Sequence, residues 1–262
     1  MHSSKQPLYP PLLNRVFSVW FRHYLVYSRN LISNGLPPFL EPLIYLMGLG
    51  LGMKQYVGEM GGIPFITFLA TGLPITAAMF TAAFECSYGT FIRLEFDRVY
   101  EGMLAAPLSA SNLLIGEILW AGTKGLFFSL AVVIVVSAFG IVPLPWSLLT
   151  PIVGLMTGIM FAVIALLVTS FVTNINHFNF FFTGFLSPMF FFSGVVFPIS
   201  NLPPALKIVA EFFPLTHVVR TSRALDLGTF PPIIWFDLLY IVIFTLIVGW
   251  LAIRRLSRKL IH

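Results

Sequence analysis

An all-α polytopic membrane protein with six transmembrane helices is the fold class the sequence predicts, and three observations predict it. Hydrophobic residues make up 58% of the 262 residues and charged ones only 10%, with a mean hydropathy of +0.92, far from the balance of a water-soluble domain. The apolar residues gather into runs of about 20, the length a helix needs to cross the hydrocarbon layer while satisfying its own backbone. The basic residues collect at the ends of those runs, as membrane orientation requires. Such spans take up most of the chain, so little is left for an extramembrane domain and no soluble catalytic domain is expected.

The elements follow in order. The opening stretch, MHSSKQPLYPPLLNRVFSVWFRHYLVYSRN, has no compact apolar core followed by a small-residue cleavage site, so no removable signal peptide is expected. Within it Leu13, Val16, Phe17 and Trp20 recur at helical spacing among Arg15, Arg22 and Arg29, which predicts an interfacial helix over 11–33. Spans are predicted over Leu36–Met53, Phe65–Phe84, Leu113–Phe139, Leu148–Val172, Phe178–Phe197 and Ile233–Ile253. The first is the weakest, because Pro37, Pro38, Glu41 and Pro42 crowd its start and kink or delay a helix. Trp146 and Trp235 fall at one set of span ends and Trp250 at the other, the headgroup level that amphipathic rings prefer.

An even number of spans puts both termini on one side. Lys5, Arg15, Arg22, Arg29, Arg93, Arg98, Arg254, Arg255, Arg258 and Lys259 share that side, while Lys54, Lys207, Arg220 and Arg223 fall on the other. The termini are therefore expected in the cytoplasm. The same placement explains the net charge of +5, so no nucleic-acid partner is expected. A single cysteine, Cys86, allows no internal disulfide and no metal cluster.

Between the second and third spans lies LEFDRVYEGMLAAPLSAS. Phe96, Val99, Tyr100, Met103 and Leu104 form one apolar helical face, and Glu95, Asp97, Arg98 and Glu101 a polar one, with Gly102 and Ala105 leaving a shallow patch. Pro107 closes the helix, and Ser109 or Ser111 can cap the next. Two readings stand: a solvated amphipathic connection, or a cytoplasmic surface built to dock another protein. The segment is longer than the roughly 2 to 8 residues that link helices in bundles, which favours docking.

The block FLATGLPITAAMFTAAFECSYGTFIRLEFDRVYEGMLAAPLSASNLLIGEILWAGTKG, with SPMFFFSGVVFPISNLPPALKIVAEFFPLTHVVRTSRALDLG further on, resembles the permeases of type-2 ABC exporters. The resemblance covers nearly all of the chain after the N-terminal helix. It implies one transmembrane domain over 1–262, a cytoplasmic coupling helix over 91–108 that enters a cleft of a separate ATPase, and an external re-entrant segment over 198–231. It also implies two permease copies, as a homodimer, with two ATPase subunits in a bacterial inner membrane. The implied cargo is amphipathic: a lipo-oligosaccharide, glycolipid, polysaccharide or drug. The sequence contains no G-x-x-x-x-G-K-[ST] loop to cradle nucleotide phosphates, so no cofactor is expected on the chain itself and ATP is expected to act through the partner. Arg93, Glu95, Asp97, Arg98, Glu101 and Gly102 are the candidate contacts with that ATPase.

Glu41, Glu85, Glu117 and Lys124 are costly in an apolar layer. The three acids map near the inner headgroups, which satisfies them, or they mark a transport path. Glu117 and Lys124 share a helix face about 10 Å apart, too far to pair, so an acid on another span is the expected partner of Lys124. The fifth span holds Phe178, Phe180, Phe181, Phe182, Phe185, Phe190, Phe191 and Phe192, which pack against lipid and neighbouring helices or line a sliding surface for cargo. Pro188 and Gly194 interrupt it, and the segment that follows reads as two short amphipathic helices split by Pro214, capping an exit. Glu117, Lys124, Phe185, Phe192, His217 and Arg220 are the candidate path residues. His2, His23, His177, His217 and His262 are scattered and give neither a metal-binding nor a catalytic motif.

Two other classes remain open. A secondary transporter calls for internal repeats with paired broken helices, and no convincing repeat is found. A membrane-embedded lipid transferase calls for clustered acids or histidines at a membrane face, and the only such cluster, Glu95 to Glu101, suits docking equally well.

Overall fold

The computed structural model describes residues 10–53 and 56–261, so Lys5, Lys54, His2 and His262 lie outside the described residues. The chain opens with α1 (Leu12–Ser28) and α2 (Leu31–Gly35), then α3 (Pro37–Tyr45), which runs into a π-helical turn at Leu46–Leu51. Helix α4 (Phe65–Ala70) and α5 (Leu73–Phe84) continue through π-helical turns at Glu85–Gly89 and Ile92–Phe96. Then come α6 (Val99–Leu104), α7 (Ala110–Ala138), α8 (Thr150–Phe171), α9 (Phe178–Phe181) and α10 (Ser187–Phe192). Helices α11 (Pro204–Phe212), α12 (Pro214–Leu227) and α13 (Ile233–Ile261) complete the chain. The one exception to an all-helical fold among the described residues is a two-residue antiparallel pair, Glu59–Met60 with Ile63–Pro64. Gly61 and Gly62 turn it with φ of 64° and 80°, a backbone that costs glycine nothing.

Among the described residues four helical stretches are long and apolar enough to cross a membrane: Phe65–Phe96, Ala110–Ala138, Trp146–Phe171 and Ile233–Leu260. The shortest has 26 residues, about 39 Å of helix, more than the roughly 30 Å of a hydrocarbon core. The expected first and fifth spans differ from these. Each is helical but contains a π turn, over Pro37–Leu51 and Phe178–Phe192, and each whole stretch covers at most about 22 Å. The fifth stops at Phe192 rather than Phe197, where Ser193 leaves the helix and Gly194 turns with φ 82°. Just before Pro188, Ser187 Oγ donates 3.0 Å to the carbonyl of Phe182, filling an acceptor near the point where proline supplies no N–H.

Helices α7 and α8 form the centre. In lipid no hydrophobic force drives helices together, so close van der Waals contact decides the packing. A Cβ added at Gly125 would lie 2.6 Å from the Gly154 carbonyl and 2.9 Å from Gly158 Cα, so only glycine permits this approach. Helix α5 packs on both, burying Ile75, Met79 and Ala82 against Leu113, Leu114, Met160 and Phe161. Helix α1 lies on α7 through Val16, Val19 and His23, and Gly116 makes room for Val19. Helix α13 packs on α8 and α12 and leaves Trp235, Leu246 and Trp250 exposed.

Lys259 Nζ lies 3.0 Å from Glu95 Oε1 and donates to the Val172 carbonyl, so the ends of α13 and α8 and the 94–109 connection meet at one end of the bundle, the basic end. At the opposite end sit α11 and α12, joined as expected at Pro214. The connection at the basic end departs from the single helix expected over Leu94–Ala106. Its first residues extend the long helix through Phe96, the chain reverses at Asp97 and at Arg98 in the left-handed region (φ 49°), and only Val99–Leu104 forms the separate helix α6. Ser109 caps α7, accepting from the Asn112 N–H at 3.3 Å.

Candidate functional site

A cleft of about 650 Å³ opens between α3, α5, α7 and α10. Leu73, Ala77, Phe80, Phe84, Phe128, Val132 and Phe190 give it an apolar body, and Glu41, Glu85, Arg93, Lys124 and Tyr88 charge or polarise one end. Elements with π turns border it on several sides, whereas α7 crosses it as a regular helix. A π turn holds one residue more than an α turn and often marks a functional site. Here it has a geometric effect: eight residues on a regular helix rotate about 80° off face, and the extra residue returns Arg93 to the face of Glu85.

At the charged end Arg93 Nη1 donates to Glu85 Oε1 at 2.8 Å and Lys124 Nζ to Glu85 Oε2 at 2.9 Å. Arg93 Nη2 donates to Glu117 Oε2 at 2.7 Å, and the Tyr100 hydroxyl donates to Glu117 Oε1 at 2.8 Å. His23 Nε2 completes the shell of Glu117 at 2.9 Å, which requires that nitrogen to carry a hydrogen. Glu117 is wholly buried, and Glu85, Arg93 and Lys124 are each about 15% exposed. Two acids thus face two basic side chains besides His23, so the cluster balances its own charge, and it ties α1, α5, α6 and α7 together. Within an apolar layer such pairing avoids the high cost of a lone charge.

His23, Glu85 and Glu117 place one potential ligand atom each within 4.8 Å of one another, the spacing of a metal site. The donor set does not suit one. Both carboxylates already bind Arg93, and Lys124 holds Glu85, so a divalent ion would meet two fixed cations and no spare negative charge.

The cleft gathers only some of the residues expected from sequence. Lys124 lines it and finds its acid on another helix, Glu85. Glu117 lies behind the wall, satisfied by protein groups rather than by headgroup water. Phe185 and Phe192 do not line the cleft: Phe185 stacks on Phe181, Phe192 meets Phe197 edge-on, and Phe190 reaches the cavity. His217 and Arg220 belong to a separate cluster at the opposite end. His217 Nδ1 lies 2.6 Å from Asp237 Oδ1, and Arg220 pairs with Asp237 at 2.9 Å and Glu211 at 2.7 Å, pinning α12 to α11 and α13. His217 is buried, held by Asp237 and by the Glu211 carbonyl rather than open to a passing cargo.

The residues of the basic-end connection divide as sharply. Asp97, Arg98, Glu101 and Gly102 are exposed, with Arg98 and Glu101 a loose 3.8 Å pair. Glu95 is engaged by Lys259. Arg93, expected on the same surface, turns inward to Glu85 and Glu117. Helix α6 therefore has two faces: a charged, open one and an inner one whose Tyr100 is bonded to the buried cluster. Burial raises the pKa of Tyr100 well above its usual value, so it stays the hydrogen donor.

Sequence reasoning leaves His23 among the scattered histidines, puts Tyr100 on the apolar face of the 94–106 helix without a polar partner, and does not foresee Arg93 as an internal residue. One signal was available: Glu41, Glu85 and Glu117 call for more basic partners than the single one, Lys124, that the apolar runs supply.

A helical bundle with membrane-length helices, an amphipathic cleft and a two-faced helix at its basic end defines a multi-pass membrane protein. The family described as ABC-2 type transporter matches residues 14–227. Nodulation protein J of Sinorhizobium fredii is 33% identical over 244 residues, 93% of each chain. Nodulation protein J of Rhizobium leguminosarum bv. trifolii is 37% identical over 214 residues, 80% of each. The inner membrane transport permease YadH of Escherichia coli is 24% identical over 246 residues, 91% of this chain and 94% of that one. The chain belongs to the ABC-2 type transporter family and is a transmembrane permease subunit of an ABC exporter, whose ATPase activity resides in separate subunits.

Proposed function

We propose that the chain is a six-span subunit of a bacterial inner-membrane exporter, with both termini cytoplasmic, and works as a homodimer with two ABC ATPase subunits. In this reading α1 lies at the inner membrane surface, the broken helices Pro37–Leu51 and Phe178–Phe192 complete the six spans, and residues 198–231 form an external re-entrant cap. The cargo is an amphipathic molecule, a lipo-oligosaccharide or glycolipid in preference to a drug. The observation that carries this is the division of the cleft: charge at one end, aromatic and aliphatic side chains along the rest. A polar head needs partners that a lipid-filled groove lacks, and an acyl chain needs walls without unsatisfied polar groups. Saccharide hydroxyls suit Glu85, Arg93 and Lys124, and sugar rings suit the faces of Tyr88 and Phe84.

The motor is separate, so force must enter through a contact. The open face of α6, with Asp97, Arg98, Glu101 and Gly102, is that contact. A displacement of α6 passes from Tyr100 to Glu117, then through Arg93 to Glu85 and Lys124 at the cleft. The exposed Glu101 and Gly102 act on the ATPase directly, whereas Arg93 acts inside as the link. Membrane lipids surround the remaining apolar faces.

The test is export by the permease reconstituted with its ATPase. Lys124→Met, and separately Phe80→Ala with Phe128→Ala, reduce cargo movement at least several-fold while both subunits still assemble. Unaltered export by these variants refutes the assignment of the cleft.

A further inference from the structure

A second cleft of about 650 Å³ opens at the basic end, on the face of the bundle where α8 and α13 meet. Its deeper walls are apolar, formed by Leu167 and Phe171 of α8 and by Trp250 and Leu251 of α13. Its mouth is cationic, formed by Arg254, Arg255, Arg258 and Lys259. From Trp250 to Arg258 the helix rises about 12 Å, so the apolar and cationic zones are stacked along the helix axis. Lys259 is already engaged by Glu95 and the Val172 carbonyl. The three arginines have no acidic partner among the described residues. Arg254 lies over the Trp250 ring at 5.1 Å and Arg255 over the Phe171 ring at 3.8 Å. Stacking uses the flat face of a guanidinium and leaves its N–H edge for oxygen ligands, with the fork geometry that fits a phosphate.

We propose that this cleft binds an anionic phospholipid. The headgroup phosphate sits on Arg254, Arg255 and Arg258, and an acyl chain runs up the wall formed by Leu167, Phe171, Trp250 and Leu251. Basic pockets between membrane helices on the positively charged side are suited to such headgroups. An acidic protein would meet the arginines but leave the apolar wall uncovered, because that wall continues into the hydrocarbon layer. The inference needs only that the chain spans a membrane; it does not rest on the direction of transport or on the cargo.

The test uses the intact transporter, permease with its ATPase, and photoactivatable phosphatidylglycerol. In the wild-type complex the label is expected on peptides covering 167–171 and 250–259, with a phosphatidylcholine analogue labelling them far less and excess inorganic phosphate failing to compete. The triple variant Arg254→Gln, Arg255→Gln, Arg258→Gln weakens binding by on the order of a hundredfold. Losing three cations from one side can disturb insertion, so the wild-type labelling pattern stands as an independent arm. Labelling spread evenly over the helices, equal labelling by the choline lipid, or displacement by phosphate alone overturns the proposal. So does a photo-crosslinker at position 258 that captures the ATPase instead of lipid.

Discussion

The phenolic hydroxyl of Tyr100 donates to Glu117 Oε1 across 2.8 Å, and this bond joins the exposed helix α6 to a wholly buried carboxylate on α7. The same carboxylate is held by Arg93 and His23. Tyr100→Phe removes a donor to a buried charge, which costs about 2 kcal/mol. The expected result is a lower melting temperature in detergent, together with fewer cargo molecules moved per ATP in the reconstituted complex. An unchanged transport-to-hydrolysis ratio would mean that Tyr100 only stabilises the fold.

Lys124 and Glu85 form the second critical pair, 2.9 Å apart at the edge of the main cleft. Removing one member of a buried ion pair strands the other and costs about 3 to 5 kcal/mol, whereas removing both costs far less. Lys124→Met is expected to destabilise more than the double variant Lys124→Met with Glu85→Gln. Arg93 remains on Glu85 in the single variant and tempers the loss. A thermal double-mutant cycle measures this, and additive effects would show that the pair is not coupled.

How much of this was legible in sequence differs from element to element. The runs over α7, α8 and α13 were legible because a regular helix in lipid has only its own apolar length to declare. The apolar run predicts a second span ending at Phe84, but the helix continues to Phe96. Glu85 and Arg93 looked like an end and became an interior, because π turns bring them together and nothing in the local sequence announces such a turn. Arg98 in the left-handed region, which splits the expected 94–106 helix, is equally silent: it is a non-glycine residue set by its surroundings. The partner of Lys124 was expected on another span, and only packing could select Glu85. The cleft was not visible at all, since its walls come from α3, α5, α7 and α10, which are far apart in the chain.

At the opposite end, outside the membrane-length helices, Asp226 of α12 accepts from Thr150 Oγ1 at 2.6 Å, while its Oδ2 has no hydrogen-bond partner among the described residues. Burial raises its pKa from about 3.8 to about 7, against the opposing pull of Thr150 and Arg223. Because the folded pKa is raised, the stabilising contribution is complete below pH 4 and is lost as pH climbs through 7, by about 4 kcal/mol at most. Thermal melting between pH 4 and 8 is expected to show this decline in the wild type and a flatter profile in Asp226→Asn. Equal slopes would remove Asp226 from the account.

Where α7 and α8 touch, Gly125 meets Gly154 and Gly158. Gly158→Leu forces the helices apart or into strain, and the expected outcome is loss of the folded bundle, read as protease sensitivity of the inserted protein. A fully protected variant would show that the contact is looser than the distances indicate.

The central claim is that the outer face of α6 is where the ATPase pushes, and a photo-crosslinker placed at Gly102 in the working exporter tests it most directly. The account predicts capture of the ATPase subunit, with export stopped in the crosslinked complex. Active exporter in which position 102 captures only lipid or solvent, and in which export continues, would contradict it.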